Sequence, residues 1–129
     1  MAKSFMQMAE EAMAEVEGVG PLEVQQRLEH DPDALVVDVR DAEDVPSTGL
    51  AARGLNVSLG MLPVKADQEL PEEWRDSRLQ DRSRQIIVTC QTGQNAARGG
   101  KLLKEMGFTN VSYMEGGMEA WKAAGLPTD

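Results

Sequence analysis

Cysteine and aromatic residues are scarce in this chain. One cysteine is present among 129 residues, and Phe, Trp and Tyr together make up 4% of them. A single cysteine forms no internal disulfide, so the sequence indicates either a reducing compartment or a reactive thiol. With so few aromatic residues, the core must consist mainly of Leu, Val, Ile, Met and Ala side chains. The length fits one domain that buries a core without disulfides or metals.

Positive charge is also in short supply. Thirteen Lys and Arg residues stand against 22 Asp and Glu residues, which gives a formal net charge of −9. Such a surface repels phosphates and acidic lipid headgroups, so we expect no nucleic-acid partner and no membrane partner, and small or basic molecules instead. We find neither the pattern of a signal peptide nor an apolar run long enough for a transmembrane helix, which predicts a cytoplasmic protein.

The first 18 residues predict an amphipathic helix. Apolar residues recur at helical spacing from Phe5 to Val16, and Ser4 with Gln7 has the pattern of a capping box. Two glycines that follow are expected to end the helix. The helix either docks a partner or packs on its own domain, and we favour packing. The chain therefore divides into an N-terminal helical extension, residues 1–18, and a domain over residues 19–129.

Short apolar runs alternate with helical patterns in the rest of the chain. Runs rich in β-branched residues predict strands at residues 35–37, 55–59, 85–89 and 111–113. Helical patterns lie at residues 21–29, 71–78, 95–106 and 116–124. In the second of these helices Trp74 is expected to face inward. The alternation predicts an α/β domain with a parallel sheet and helices on both faces.

Cys90 stands where proteins with parallel sheets bind ligands. It directly follows the strand predicted at residues 85–89 and begins a short loop that runs into the next helix. The backbone N–H groups of such a loop converge, and the helix N-terminus adds partial positive charge, so together they stabilise an anion. We therefore predict that Cys90 is a reactive nucleophile rather than an inert buried residue. The same arrangement also occurs in cysteine-based phosphatases and some reductases.

The charged residues near the predicted strand at 35–37 are given structural roles. Asp38 is expected to cap local backbone at the strand end, and Arg40 to pair with an acid such as Glu43. His30, the only histidine, is expected on the surface, far in sequence from Cys90. The sequence therefore gives little support to a cysteine–histidine protease.

Two glycine pairs point to tight packing. Gly99 and Gly100 lie inside a predicted helix, where glycine is unfavourable, and suggest the close approach of another backbone. Gly116 and Gly117 open the last predicted helix, which Trp121 is expected to anchor in the core. We interpret this second pair as packing residues rather than as a substrate site.

Several motifs, taken in order along the chain, resemble those of rhodanese domains. They lie at residues 36–40 (VVDVR), 49–57, 90–95 (CQTGQN), 101–111, 113–121 (YMEGGMEAW) and 125–127 (GLP). The resemblance covers roughly residues 19–127 and leaves only the first helix outside it. It implies a rhodanese-like α/β fold: an open, mainly parallel five-stranded sheet with helices on both faces, here with an extra N-terminal helix.

The resemblance also implies sulfur transfer through Cys90. In that family the cysteine takes a sulfane sulfur from thiosulfate or a persulfide and passes it to a thiol or to cyanide, with no metal and no organic cofactor. The implied partners are a small sulfur donor and a thiol or cyanide acceptor, and a protein sulfur acceptor is a further candidate. The residues expected to bind the substrate are Gln91, Thr92, Gly93, Gln94, Asn95 and Arg98.

The loop after Cys90 departs from the family pattern in its charge. Rhodanese loops often carry Arg or Lys, whereas Gln91, Gln94 and Asn95 are neutral. Arg98 is the first candidate to supply a cation, and Arg53 is a weaker one. A second hypothesis is therefore a non-enzymatic persulfide carrier or sulfur-binding interaction module with little thiosulfate activity.

A third hypothesis is a phosphatase built on the same fold. Such phosphatases place an arginine six residues after the cysteine, where it binds the phosphoryl group through two hydrogen bonds. In this chain that position is Ala96. The sequence therefore disfavours a phosphatase.

Overall fold

Five strands form one sheet at the centre of the molecule. A computed structural model describes residues 1–129. The strands are β1 (Glu17–Val19), β2 (Leu35–Asp38), β3 (Gly54–Asn56), β4 (Ile86–Thr89) and β5 (Val111–Met114). Their order is β1-β5-β4-β2-β3, and every pairing is parallel. All residues of β2 and β4 are buried, because helices cover both faces, and this explains their continuous apolar sequences.

Helices pack on both faces of this sheet. They are α1 (Phe5–Glu15), α2 (Pro21–His30), α3 (Leu62–Lys65), α4 (Gln94–Glu105) and α5 (Gly117–Ala123), with short 3-10 segments at Ala42–Ser47, Glu72–Trp74 and Ser77–Leu79. Buried residues of α1, α3 and α4 pack on one face, and those of α2 and α5 pack on the other. The predicted fold is confirmed. None of the helices combines the length and the apolar character needed to cross a membrane.

Helix α1 packs on its own domain, against α4. Its capping box is present: the Gln7 backbone N–H donates to Ser4 Oγ at 3.1 Å, and the Ser4 N–H donates to Gln7 Oε1 at 2.7 Å. Ala9 and Ala12 are fully buried. The helix ends at Glu15, because the chain then forms β1 beside β5. The prediction that α1 packs on its own domain is confirmed, and the division expected at residue 18 falls inside β1.

The helix predicted at residues 71–78 is wrong. Two separate 3-10 segments occupy this stretch, and Trp74 is 52% exposed instead of facing inward. The backbone is extended at Arg75, and the Asp76 side chain accepts a hydrogen bond from the Arg78 backbone N–H at 2.8 Å. This cap starts a new turn, which competes with a continuous helix.

The two glycines inside α4 lie against valine side chains and not against another backbone. A Cβ atom at Gly99 would lie 3.2 Å from Cγ1 of Val88, and one at Gly100 would lie 2.9 Å from Cγ1 of Val16. The expectation of a close backbone is therefore wrong in kind. The missing side chains allow α4 to lie close to β4 on one side and to the end of α1 on the other.

Candidate active site

Cys90 lies at the carboxyl end of β4, in the first position after the strand, and is 4% exposed. Its Sγ accepts two backbone hydrogen bonds, from Gly93 N at 3.0 Å and from Ala96 N at 3.2 Å. Both donors belong to the loop and the first turn of α4, whose dipole adds further positive potential. These contacts favour an anionic sulfur at this position, and the nucleophilic role of Cys90 stays a prediction.

The loop reaches this shape through a left-handed residue. Gly93 has φ 111° and directly precedes α4. Residues with a side chain rarely adopt this conformation, and a Cβ atom here would also lie 3.2 Å from the Gly116 nitrogen. Glycine at position 93 thus turns the chain sharply enough for its own N–H group to point back at Cys90.

The N-terminus of α5 holds the loop from the other side. The Met118 N–H donates to the Cys90 carbonyl at 2.8 Å, and the Glu119 N–H donates to the Gln91 carbonyl at 3.1 Å. Gly117 has φ 61°, and a Cβ atom on it would lie 2.5 Å from the Cys90 carbonyl oxygen. Trp121 is fully buried. The interpretation of Gly116 and Gly117 as packing residues is confirmed, and what they pack against is the loop that carries Cys90.

A buried ion pair lies beside the loop. Arg40 Nη2 donates to Asp38 Oδ2 at 2.7 Å, and Arg40 Nε donates to Asp38 Oδ1 at 3.0 Å. The side chains of the two residues are 3% and 1% exposed. Pairing of Arg40 with Glu43 is therefore wrong, because Asp38 ends the neighbouring buried strand whereas Glu43 is exposed. Asp38 does cap local backbone as predicted: its Oδ1 accepts from the Arg40 N–H at 3.1 Å.

The side chain of Gln91 links this ion pair to α5. Arg40 Nη1 donates to Gln91 Oε1 at 3.0 Å, and Gln91 Nε2 donates to Glu119 Oε2 at 3.0 Å. A neutral amide serves here because it accepts from a cation at one end and donates to an anion at the other. Arg40 thus takes part in positioning the loop, a role that its sequence context did not reveal.

A cavity of about 670 Å³ opens above Cys90. Among the residues predicted to bind the substrate, Gln91, Thr92, Gln94 and Asn95 line it, and Gly93 contributes the N–H on Cys90 Sγ. The lining residues that the sequence did not single out for the site include Arg40, Phe5, Leu59 and the three acids Asp41, Glu43 and Asp44. Phe5 comes from α1, and its distance along the chain hides its place in the site.

The candidate cations lie outside this cavity. Arg98 Nη1 donates to Asn95 Oδ1 at 3.0 Å, and its guanidinium carbon lies 5.8 Å from the centre of the Phe5 ring. Arg98 lines a different cavity, beside α1 and α4. Arg53 donates to the carbonyls of Leu28, Asp31 and Ala34, before β2 begins, at the other end of the sheet. Arg40 is the one cation that lines the cavity above Cys90, and it is paired with Asp38, so the cavity has no free side-chain cation.

A family model described as the rhodanese-like domain matches residues 21–124. The chain belongs to this family. It is 33% identical over 98 residues to the thiosulfate sulfurtransferase GlpE of Actinobacillus succinogenes, which covers 74% of this chain and 76% of that protein. It resembles the polysulfide-sulfur transferase homodimer of Wolinella succinogenes with a TM-score of 0.73 and 30% identity, over 95% of this chain and 85% of the other.

A solved structure that matches the whole chain includes the N-terminal helix. It is a Rhodopseudomonas palustris protein of unknown function, described as a possible tyrosine phosphatase, with a TM-score of 0.89 at 24% identity. The match covers 100% of this chain and 96% of that one. At this identity it shows a shared fold, α1 included, whereas the family model begins only at residue 21.

Proposed function

We propose that this protein is a sulfurtransferase in which Cys90 carries the transferred sulfur as a persulfide. The donor is thiosulfate or a persulfide, and the acceptor is a thiol or cyanide. One observation carries the proposal: the N–H groups of Gly93 and Ala96 donate to Cys90 Sγ at 3.0 and 3.2 Å. Such donors stabilise the thiolate, which is the nucleophilic form of cysteine. Relatives named as sulfurtransferases support the same chemistry.

The reaction has two displacement steps at sulfur. The Cys90 thiolate attacks the outer sulfur of thiosulfate, the S–S bond of the donor breaks, and sulfite leaves with the bonding electron pair. An acceptor thiolate or cyanide then attacks the outer sulfur of the Cys90 persulfide, and Cys90 leaves as a thiolate. The two N–H groups at Sγ stabilise the cysteine both as nucleophile and as leaving group.

A second candidate is a persulfide carrier that reacts slowly with free thiosulfate. The observation that favours it is the lack of a free side-chain cation in the Cys90 cavity, since thiosulfate carries two negative charges. A phosphatase is disfavoured for a related reason. Position 96, where it would need an arginine, holds a fully buried alanine whose N–H already donates to Cys90.

The test of the proposal is the intact mass of the protein after incubation with thiosulfate and, separately, with inorganic polysulfide. We expect the gain of one sulfur atom on wild type and none on Cys90→Ser. The variant should melt at nearly the same temperature, because serine fits the same small buried site. Loading with polysulfide but only slow loading with thiosulfate would favour the carrier.

Absence of any gain with both donors would contradict a persulfide mechanism. Hydrolysis of an aryl phosphate that depends on Cys90, in the same preparation, would instead support the phosphatase.

A further inference from the structure

Carboxylates form one wall of the cavity above Cys90. Asp41, Glu43 and Asp44 all line it and all are exposed. They come from the short 3-10 segment that follows β2, with Asp41 at its N-cap. None of the three makes an ion pair, and no group of acidic, histidine or cysteine side chains in the molecule is arranged to hold a metal ion. Their charge is therefore available to a substrate at Cys90.

Positive charges near this wall are already engaged elsewhere. The guanidinium of Arg40 is matched by the buried carboxylate of Asp38. Arg98 is held by Asn95 Oδ1 and the Phe5 ring, outside the cavity. Lys122 Nζ donates to the Ser47 carbonyl oxygen at 3.4 Å, and this residue lines a separate depression. The carboxylate wall of the cavity thus has a negative potential, opposite in sign to that of the N–H groups at the sulfur.

This potential has a specific consequence for the acceptor of the sulfur. The nucleophilic form of an acceptor thiol is an anion, and an acidic cavity opposes its entry. An ammonium group on the same small molecule cancels that charge and is attracted by the carboxylates. Phe5 and Leu59 also line the cavity and supply apolar surface for a short alkyl stem. The site itself is defined by Cys90 and its N–H donors, and the acids decide what enters it.

We propose that Asp41, Glu43 and Asp44 select small thiols that carry an ammonium group as sulfur acceptors, in preference to anionic thiols. The proposal rests on the proposed function. In the step concerned, the thiolate of the aminothiol attacks the outer sulfur of the Cys90 persulfide. A new S–S bond forms, the bond to Sγ breaks, and Cys90 leaves as a thiolate while the acceptor departs as a persulfide.

The test uses three acceptors of similar size: cysteamine, 2-mercaptoethanol and 3-mercaptopropionate. Cys90 is first loaded with sulfur, the gain is verified by intact mass, and the donor is removed. The rate at which each thiol removes the outer sulfur is then measured for wild type, for the triple variant Asp41→Asn/Glu43→Gln/Asp44→Asn, and for Glu29→Gln. Glu29 is an exposed carboxylate on α2, on the opposite face of the sheet, and serves as the matched control.

The decisive quantity is the ratio of the cysteamine rate to the 3-mercaptopropionate rate. Comparing this ratio between variants cancels the intrinsic reactivity of each thiol. An exposed charge pair is worth a factor of about two to five, so three carboxylates should lower the ratio by about tenfold in the triple variant. The ratio should be unchanged in Glu29→Gln, and added salt should lower it in wild type.

The outcomes separate this inference from the proposed function. If wild type loads with sulfur, but the rate ratio is the same in wild type and the triple variant and does not change with salt, the selection of ammonium thiols is overturned. The proposed function is then unaffected. Failure to load sulfur in the first step would overturn the proposed function and this inference together. A melting temperature of the triple variant close to that of wild type would show that the three acids act on the substrate and not on folding.

Discussion

Two aspartate–arginine pairs with the same sequence spacing differ in their burial and in the further hydrogen bonds of the buried arginine, to Thr48 and Gln91 among others. Asp38 and Arg40 are almost fully buried, whereas the Asp76–Arg78 pair makes a similar two-point contact with side chains that are 15% and 56% exposed. When one partner of a buried pair is removed, the charge of the other partner stays uncompensated. At the surface, water replaces the lost partner instead. The chain therefore contains its own control for the role of Arg40.

We predict that Arg40→Met lowers the free energy of unfolding by about 3–5 kcal/mol, and that Arg78→Met lowers it by no more than about 1 kcal/mol. The first change also frees Gln91 from its cationic partner, so sulfur loading of Cys90 should slow as well. Urea unfolding of the two variants measures the difference. Equal losses in both would mean that the Arg40 network adds nothing beyond a surface pair.

Two positions in the loop allow a cation to be added in different surroundings. The Gln91 side chain is fixed between Arg40 and Glu119, so an arginine there would face the guanidinium of Arg40. Asn95 also lines the cavity, and its only side-chain hydrogen bond comes from Arg98, which is half-buried and not buried as Arg40 is. An arginine at position 95 would therefore meet weaker repulsion than one at position 91. We therefore expect Asn95→Arg to lower the KM for thiosulfate several-fold, with a smaller change in kcat, because a charge-assisted hydrogen bond replaces a neutral contact.

Gln91→Arg should give less improvement in KM and a less stable protein. Steady-state kinetics with thiosulfate and thermal melts of both variants provide the comparison. A larger benefit from Gln91→Arg than from Asn95→Arg would show that the loop rearranges when its charge changes.

At the scale of single residues, the sequence predicts the position of Cys90 in the fold better than the side chains around it. Cys90 stands out because a buried strand precedes it and a short glycine-containing loop follows, and both features are local. The partner of Arg40 depends on the directions in which the side chains point at the end of β2. The spacing of charged residues in the sequence does not reveal these directions. Phe5 joins the cavity only through the packing of α1 on α4.

At the scale of elements, the N-terminus of α5 holds the loop that carries Cys90 in place, and α5 contacts this loop at Gly117. Gly125, shortly after α5, also has a positive φ, of 74°. A Cβ atom on Gly125 would have no other atom within 4 Å. Gly117→Ala and Gly125→Ala thus share the cost of a left-handed alanine, about 1–2 kcal/mol. Only the first adds a steric overlap with the Cys90 carbonyl.

We predict that Gly117→Ala loses about 1–3 kcal/mol more stability than Gly125→Ala, the range typical of overpacking. It should also slow sulfur loading, because the loop must move away from α5 and the N–H groups then point less directly at Cys90 Sγ. Chemical unfolding and the intact-mass assay measure the two effects. Normal loading in Gly117→Ala would show that the contact with α5 is not needed for the geometry at the sulfur.

Helices and strands with a strong local sequence pattern are predictable. Those that form only because a neighbouring element pairs with them are not. The strands β2 and β4 each begin with three apolar residues and lie where we expect them. β1 has only three residues, one of them glycine, and it is a strand because β5 offers an unpaired edge. Residues 71–78 contain Trp74 as their only large apolar side chain, so no apolar stripe supports a helix there, and the Asp76 cap starts a separate turn.

At the scale of the whole molecule, the excess of acidic residues raises the question of how stability changes with pH. Six carboxyl groups have a pKa below the ordinary value of 3.8 for Asp or 4.5 for Glu, each chiefly because it accepts hydrogen bonds: Glu11, Glu17, Asp31, Asp67, Asp76 and Asp81. In Asp76 the main cause is the hydrogen bond from Arg78, ahead of burial, which acts in the opposite direction.

These lowered pKa values and the net charge of −9 make opposite predictions for acid. A carboxyl group whose pKa is lower in the folded state contributes stability above its unfolded pKa, and this stability is lost as the pH falls through the folded value. Relief of charge repulsion would instead stabilise the protein as carboxylates become protonated.

We expect the hydrogen bonds to dominate, because they are short-range and specific, whereas repulsion between exposed charges is screened by salt. The free energy of unfolding should therefore be nearly constant from about pH 7 to about pH 5 and fall steadily below about pH 4. Urea unfolding across this range, at fixed ionic strength, measures it. Asp76→Asn should reduce the fall, since one of the lowered groups is gone. A rise in stability on acidification would show that repulsion between the acidic residues outweighs their individual hydrogen bonds.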